Sequence, residues 1–305
     1  MHESVVTPDS YLNEIASHLI TAGGKRLRPV LSVAAAQIHG SAASDGAVRG
    51  GVSCELVHLG SLYHDDVMDE ADTRRGVETV NAKWGNLQAI LAGDFLLSRA
   101  SEIAASLGTE VAGLLARTIG WLCEGQIEEL RHTYDATRPE TSYFASIHGK
   151  TASLYGTAAR IGGIVSGHDR ADIDALTEFG NAYGIVFQIV DDILDITATD
   201  EQLGKPAGHD MVEGVYTLPV LRTLGLGNAA ADELKGLLGS PLETDTQNVA
   251  LSIVRASDGV DSAIATAQEY VDRAVNACEP FADTPAAAAL RSAPGALLDT
   301  VTIRA

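Results

Sequence analysis

The sequence is poor in cysteine, and this shortage excludes two classes of protein. Its 305 residues contain three cysteines, Cys54, Cys123 and Cys278, and no two of them form a CxxC pair. An odd and scattered set of this kind argues against a disulfide framework and against a zinc knuckle. It is typical of a protein that works in a reducing, cytoplasmic compartment.

Positive charge and long apolar runs are also scarce. Lysine and arginine number 21 against 41 aspartates and glutamates, which gives a formal net charge of −20. Such a chain has no general attraction for nucleic acid or for anionic lipid. No apolar run is long enough to cross a bilayer, and the N-terminus has no basic region followed by an apolar core. We therefore expect no nucleic-acid partner, no transmembrane segment and no signal peptide.

Apolar residues recur mostly with helical spacing, and the breaks between these segments are rich in glycine, proline and small polar residues. The predicted helices cover residues 10–21, 29–39, 48–68, 86–106, 109–134, 141–166, 171–197, 215–224 and 247–277. The residues that look functional are spread from position 25 to position 205, so a division into two independent domains would cut the site. The pattern predicts an all-α protein in which residues 1–305 form one large helical bundle.

Two of these helices are apolar nearly all round, and each runs directly into a dense acidic cluster. Residues 52–64 lead into Asp65-Asp66-Val67-Met68-Asp69, and residues 182–190 lead into Asp191-Asp192-Ile193-Leu194-Asp195. Both clusters have the form DDxxD, whose outer aspartates share one helix face. Like charges at the end of a buried helix are costly unless a cation compensates them. Carboxylates of this kind are ligands for Mg²⁺, which takes one or two of them together with phosphate oxygens and water.

Several of the few basic residues form short clusters, and two of these clusters follow an acidic motif closely in the sequence. Lys25, Arg26 and Arg28 lie within four positions, and the other groups are Arg74-Arg75, Lys150-Thr151 and Gly204-Lys205-Pro206. Arginine binds phosphate in a bidentate manner, and lysine supplies a point charge. Acidic clusters beside basic clusters are suited to diphosphates, because metal ions can neutralise one diphosphate while lysines and arginines hold a second.

Five motifs together resemble the trans-isoprenyl diphosphate synthases, also called polyprenyl synthetases. They are GGKRLRP, HDDVMDEADTRRG, GKT, FQIVDDILD and GKPAGHDMVEG, in the order of the family, over residues 23–219. The resemblance implies a helical bundle of the isoprenoid synthase type, in which the two DDxxD motifs face each other across a deep central pocket. It also implies a homodimer.

The resemblance assigns a role to each matching position. It implies that three Mg²⁺ ions bind together with the allylic diphosphate at Asp65, Asp66, Asp69, Asp191, Asp192 and Asp195. It implies that the allylic diphosphate is contacted by Arg74, Lys150, Thr151, Gln188 and Lys205. It implies that isopentenyl diphosphate is held by Lys25, Arg28, His58 and Arg75.

The implied reaction is ionisation of the allylic diphosphate, condensation with isopentenyl diphosphate and loss of a proton. Metal ions and cations stabilise the charge that develops on the leaving diphosphate. The residues expected to carry catalysis are Asp65, Asp69, Asp191, Lys150 and Lys205. The chain departs from the family at Val215, where many members have a lysine.

Product length is expected to depend on the helix that leads into Asp65. Gly60 and Ser61 occupy the positions where bulky aromatic residues in the family close the pocket and stop growth early. Because both residues are small, we expect a product of C20 or longer, and we favour six to ten isoprene units, C30–C50.

Three other readings compete with this one. Glu55-Leu56-Val57-His58 and Glu129-Leu130-Arg131-His132 both have the ExxH spacing of di-iron bundles, but that reading leaves the DDxxD clusters unexplained. A catalytically silent partner of a synthase should have lost aspartates, yet all six are present. A class I terpene cyclase usually has a second metal motif with Asn, Ser or Thr and Glu, and it would leave Lys25 and Arg28 without a use.

Overall fold

A computed structural model describes residues 1–199 and 207–302 of the chain. Its longer helices, in chain order, are α1 (Ser10–Thr21), α2 (Leu27–Ala36), α3 (Asp45–Met68), α4 (Val80–Trp84), α5 (Asn86–Ser106), α6 (Thr109–Leu130), α7 (Glu140–Ile147), α8 (Ser153–Val165) and α9 (Arg170–Thr197). They are followed by α10 (His209–Val212), α11 (Leu218–Leu224), α12 (Ala229–Leu237), α13 (Thr244–Arg255), α14 (Gly259–Ala277) and α15 (Pro285–Thr302). A 3₁₀ helix covers His2–Val5, and a π-helical turn at His148–Ala152 joins α7 to α8.

The predicted all-α fold class is confirmed. The strands among the described residues, β1 (Thr73–Arg74) and β2 (Val77–Glu78), pair as one short antiparallel hairpin. Helical periodicity gave the bounds of α1 and α5 to the residue. The prediction of one helix over 247–277 is wrong, because α13 ends at Arg255 and α14 begins at Gly259. The helices α4, α10, α12 and α15 were not predicted, since they are short or lack a clear apolar stripe.

Side chains that accept backbone hydrogen bonds begin several helices. Asp9 accepts from the amides of Tyr11 and Leu12 at the start of α1. Ser44 accepts from the Ala47 amide at the start of α3. These caps satisfy amides that have no partner within the first helical turn, so they set where each helix begins.

Contacts along the chain group the residues into two compact units. Unit 1 comprises Met1–Ile119, Thr157–Thr177 and Phe281–Ala287. In it, α3 packs against α2 and α5 at positions where a side chain would not fit. A Cβ atom on Gly51 would lie 2.6 Å from Cα of Pro29, and one on Gly60 would lie 3.0 Å from the Gly93 carbonyl oxygen. Glycine therefore allows these helices to approach closely, and the buried part of α3 ends at the first DDxxD motif.

Unit 2 comprises Gly120–Gly156, Glu178–Pro280 and Ala288–Ala305. Its core is apolar and includes Ile189 and Ile193 from α9, Leu218 from α11 and Val254 from α13. This core surrounds the stretch of α9 that carries the second DDxxD motif. This grouping does not by itself make two independent domains, and the assignment of residues 1–305 to a single domain stays a prediction. None of the described helices combines the length and hydropathy that a bilayer crossing requires.

Candidate active site

The first DDxxD motif lies at the C-terminal end of α3, and its three aspartates differ in environment. Asp65 is half-buried and Asp69 is exposed, whereas Asp66 is fully buried. Oδ1 of Asp66 accepts a hydrogen bond from Nε of Arg74 in β1, and its Oδ2 is buried without a hydrogen-bond partner. Burial raises the pKa of the Asp66 carboxyl, and the charge of Arg74 opposes that shift. The motif therefore has one inner carboxylate that ties the hairpin to α3 and two outer ones on the accessible face.

The hairpin places Arg75 beside the glycines that precede α2. Arg75 donates to the carbonyl oxygens of Gly23 and Leu19, the latter at 3.2 Å. A Cβ atom on Gly24 would lie 2.9 Å from the Arg75 guanidinium carbon, and the φ of Gly24 is +132°. A side chain at position 24 would thus be strained and would displace Arg75. The positive φ of Gly24 and its contact with Arg75 therefore explain why the GGKRLRP motif has glycine at this position.

A buried glutamate and a partly buried histidine complete this group in unit 1. Nη1 of Arg26 donates to Oε1 of Glu55 at 2.9 Å. Burial lowers the pKa of His58 well below its ordinary value, and the charges of Arg28 and Arg75 lower it further. His58 is therefore a neutral imidazole at neutral pH, able to donate or accept a hydrogen bond but adding no charge.

The second DDxxD motif lies on α9 in unit 2 and differs from the first, because only one of its three carboxylates is exposed. Asp191 is exposed, whereas Asp192 is 2% and Asp195 is 4% exposed. Oδ1 of Asp192 accepts from Nε2 of Gln188 at 2.9 Å. Oε1 of Gln188 accepts in turn from the Thr151 hydroxyl at 2.8 Å. Three predicted site residues are thus brought together in one chain of hydrogen bonds.

Two neighbours of Asp192 were missed from the sequence. The Tyr143 hydroxyl donates to Oδ2 of Asp192 at 2.5 Å. Nη2 of the buried Arg138 donates to the Ser146 hydroxyl at 2.7 Å, and its guanidinium lies 5.8 Å from the Tyr143 ring centre. Burial raises the pKa of Asp192 well above its ordinary value, and the charge of Asp210 raises it further. Because basic residues are scarce in this chain, each of them, including Arg138, could have been considered for the site. Nothing in the sequence indicated Tyr143.

The π-helical turn His148–Ala152 carries two predicted site residues, Lys150 and Thr151. Turns of this kind interrupt α-helices and frequently occur at functional sites. Here the turn directs the Thr151 hydroxyl to Gln188, and Nζ of Lys150 lies 2.5 Å from Oε1 of Glu129. The remaining predicted cation, Lys205, lies outside the described residues.

The donor set suits a divalent ion that is completed by a ligand. Among residues 1–199 and 207–302, no group of three or more acidic, histidine or cysteine side chains is arranged to hold a metal by itself. Mg²⁺ does not need such a group, since it commonly takes one or two carboxylates and fills its shell with phosphate oxygens and water. In unit 1, the accessible carboxylates of Asp65 and Asp69 and the buried Oδ2 of Asp66, which lacks a hydrogen-bond partner, offer hard oxygen ligands. In unit 2, taken by itself, the exposed carboxylate of Asp191 does the same.

Comparison with known proteins identifies the family. The family model of the polyprenyl synthetases matches residues 9–254. The chain belongs to the polyprenyl synthetase family. It is 39% identical over 283 residues to the nonaprenyl diphosphate synthase of Mycobacterium tuberculosis, an alignment that covers 92% of this chain and 84% of the relative.

Solved structures of the family have the same fold. A decaprenyl diphosphate synthase from Rhodobacter capsulatus superposes with a TM-score of 0.91 at 30% identity, covering 98% of this chain and 93% of that one. A polyprenyl synthase from Caulobacter crescentus, solved with calcium and isoprenyl diphosphate, also gives 0.91 at 31% identity, covering 97% of this chain and 91% of that one.

The di-iron reading has no support in this family or in the geometry. Glu55 pairs with Arg26, and Glu129 pairs with Lys150. His132 Nδ1 lies 2.7 Å from an Asp135 carboxylate oxygen. Each ExxH glutamate therefore has a basic side chain as its partner.

Replacing Tyr143 by phenylalanine is expected to lower the free energy of unfolding by about 1–3 kcal/mol, because Oδ2 of the buried Asp192 loses its donor. Urea titration followed by circular dichroism measures this loss. Tyr183→Phe is the matched control, because Tyr183 is also buried in unit 2 and contacts Tyr155 and Phe179 through its ring, which phenylalanine keeps. Equal stabilities of the two variants would contradict the assigned role of the Tyr143 hydroxyl.

Proposed function

We propose that this protein condenses isopentenyl diphosphate with an allylic diphosphate to give an all-trans polyprenyl diphosphate. The observation that carries the proposal is the pair of buried helices that each end in DDxxD. One motif adjoins the arginines of unit 1, and the other adjoins the Thr151–Gln188 hydrogen bond of unit 2. Membership of the polyprenyl synthetase family supports the same reaction.

The metal in this proposal is Mg²⁺, bound as three ions together with the allylic diphosphate. The ligands are drawn from the six motif aspartates, Asp65, Asp66, Asp69, Asp191, Asp192 and Asp195. When bound, Mg²⁺ supplies Lewis-acid stabilisation of the charge on the leaving diphosphate. Asp65, Asp69 and Asp191 are the more accessible ligands, whereas Asp192 already accepts two hydrogen bonds from protein donors.

The protein's own residues bind and orient the two diphosphates. The allylic diphosphate is contacted by Arg74, Lys150, Thr151, Gln188 and Lys205. Isopentenyl diphosphate is held by Lys25, Arg28, His58 and Arg75. Positive charge at Lys150 stabilises the departing diphosphate as its negative charge grows. The proton lost after condensation goes to that diphosphate, so no protein base is required.

The product is a long chain of six to ten isoprene units. The small residue at position 61 supports it, and so do the similarities to a nonaprenyl and a decaprenyl diphosphate synthase.

The active form is a homodimer. Leu87 is 73% and Leu91 is 66% exposed one turn apart on α5, and an apolar strip of this kind marks an interaction surface. Cytoplasmic location is supported by the free thiols of Cys54, Cys123 and Cys278. Light scattering after size exclusion gives the mass of the assembly, and a mass of 31.9 kDa would contradict the dimer.

A product assay tests the proposed reaction. Purified protein is incubated with Mg²⁺, isopentenyl diphosphate and, in separate tubes, dimethylallyl, geranyl or farnesyl diphosphate. Mass spectrometry of the products should show a ladder whose longest members contain six to ten isoprene units, and EDTA should abolish it. Absence of elongation from every starter would favour the silent partner, and a cyclic hydrocarbon made without isopentenyl diphosphate would favour the cyclase.

The departure at Val215 makes a separate prediction. The Val215 amide donates to the Asp210 carbonyl oxygen at 2.8 Å, and the charge of Asp210 acts on Asp192, so the surroundings of position 215 are acidic. A Val215→Lys variant should lower KM for the allylic diphosphate by about tenfold, as a charged hydrogen bond to phosphate would. Steady-state kinetics with Val215→Met as the uncharged control measures the effect. Equal KM values for the lysine and methionine variants would show that no diphosphate lies within reach.

A further inference from the structure

The end of α6 and the π-helical turn His148–Ala152 approach each other so closely that neither backbone has room for a side chain. A Cβ atom on Gly125 would lie 2.7 Å from the Lys150 amide nitrogen. A Cβ atom on Gly149 would lie 2.6 Å from the Trp121 carbonyl oxygen. Both segments belong to unit 2, and their contact fixes the backbone of Lys150 relative to α6.

One turn beyond Gly125 on the same helix face, α6 presents Glu129 to Lys150. Oε1 of Glu129 lies 2.5 Å from Nζ of Lys150. The Glu129 side chain is 15% exposed and that of Lys150 is 30% exposed. The charge of Glu129 also acts on the buried Arg138, where burial lowers the pKa and Glu129 raises it. Glu129 thus forms an ion pair with Lys150 and is one of the carboxylates whose charge acts on Arg138.

Lysine alone is a poorly defined phosphate ligand, because its ammonium sits on a flexible four-carbon stem. The ammonium has three donors, so a hydrogen bond to Glu129 does not by itself prevent it from binding phosphate. A carboxylate held by a rigid helix therefore restricts the ammonium without using it up. We infer that Glu129 is a positioning residue, which holds the Lys150 ammonium in place for the allylic diphosphate.

This inference rests on the proposed function, and it differs from a purely structural role in what it predicts. A partly exposed ion pair adds little to stability. A misplaced catalytic cation, in contrast, changes the rate, because small errors in position are costly in the transition state. The loss caused by a Glu129 variant should therefore appear in the kinetics of the allylic substrate. It should be absent when Lys150 has already been replaced.

A double-mutant cycle tests this dependence. The variants are Glu129→Ala, Lys150→Ala and the double variant, with Glu129→Gln as a shape-conserving change. Glu128→Ala is the matched control, because the neighbouring Glu128 contacts Arg131 and His132. Values of kcat and KM are measured for farnesyl diphosphate and isopentenyl diphosphate separately, and thermal unfolding checks that each variant is folded.

Glu129→Ala should lower kcat/KM for farnesyl diphosphate by about tenfold or more and leave KM for isopentenyl diphosphate within about twofold. Glu129→Gln should recover part of the loss, and the double variant should be no worse than Lys150→Ala, since coupled residues are not additive. Additive losses, or a Glu129→Ala enzyme equal to Glu128→Ala, would overturn the inference while the proposed function stands. An inactive wild-type protein, or a fully active Lys150→Ala variant, would overturn both the Lys150 assignment and the inference.

Discussion

Replacing Asp65 or Asp69 by alanine is expected to lower kcat by about 10²–10³-fold, the loss typical of removing one group that stabilises transition-state charge. These outer aspartates share a helix face at the end of α3, and neither is buried. Their removal should therefore leave the fold intact. Product formation at saturating substrates and Mg²⁺ measures the loss, and thermal unfolding should give melting temperatures close to that of the wild type.

The inner aspartate of the same motif should behave differently. Asp66 is fully buried and accepts from Arg74, so Asp66→Ala leaves the guanidinium without this acceptor and should destabilise the protein. The control is Glu70→Gln, which removes an exposed charge next to the motif and should have little effect on either quantity. If Asp65→Ala were as active as Glu70→Gln, the first motif would not bind the metal. If Asp66→Ala unfolded no earlier than Asp65→Ala, the distinction between inner and outer carboxylates would be lost.

Much of the fold could be predicted, because helical periodicity is written directly in the order of apolar residues. The bounds of α1, α5 and the C-terminal end of α3 follow from it. The break between α13 and α14 does not, since it depends on a tertiary contact. A Cβ atom on Gly259 would lie 2.5 Å from the Pro219 carbonyl oxygen of α11. Only the packed structure shows why glycine stands where α14 begins.

The candidate site was predictable to the same degree. Both DDxxD motifs and the basic motifs are contiguous in sequence, so their residues could be named without a structure. The partners that hold them are distant in sequence. Tyr143 is 49 residues from Asp192, and Glu129 is 21 residues from Lys150. Spacing within a motif also cannot tell a buried aspartate from an accessible one, because burial depends on which elements pack against the helix.

Gly60 illustrates how the structure changes a sequence argument without deciding it. From the sequence alone, its small size predicts an upper pocket that is open to a growing chain. In unit 1, however, a Cβ atom at this position would meet the Gly93 carbonyl oxygen at 3.0 Å and a Leu97 side-chain carbon at 3.2 Å. The packing of α3 on α5 therefore favours glycine at position 60, whatever the product length. The chain-length hypothesis is tested more cleanly at Ser61.

Ser61→Phe is expected to shorten the product to roughly four isoprene units or fewer, because an aromatic ring one turn before Asp65 would fill the space that the growing chain needs. Ser61 is half-buried, and its hydroxyl donates to the His58 carbonyl oxygen within its own helix, so no other element depends on it. Mass spectrometry of the product ladder measures the change.

Two comparisons make that result specific. Ser61→Ala should keep the wild-type ladder, since it adds no bulk. Gly60→Phe should instead lower the melting temperature, because the ring has to displace backbone of α5. A Ser61→Phe enzyme that still makes the full-length product would place the limit of growth elsewhere than on α3. A shortened ladder from a stable Ser61→Phe protein would show that this face of α3 lines the path of the growing chain. The small size of Ser61 would then be explained by product length, whereas that of Gly60 is explained by helix packing.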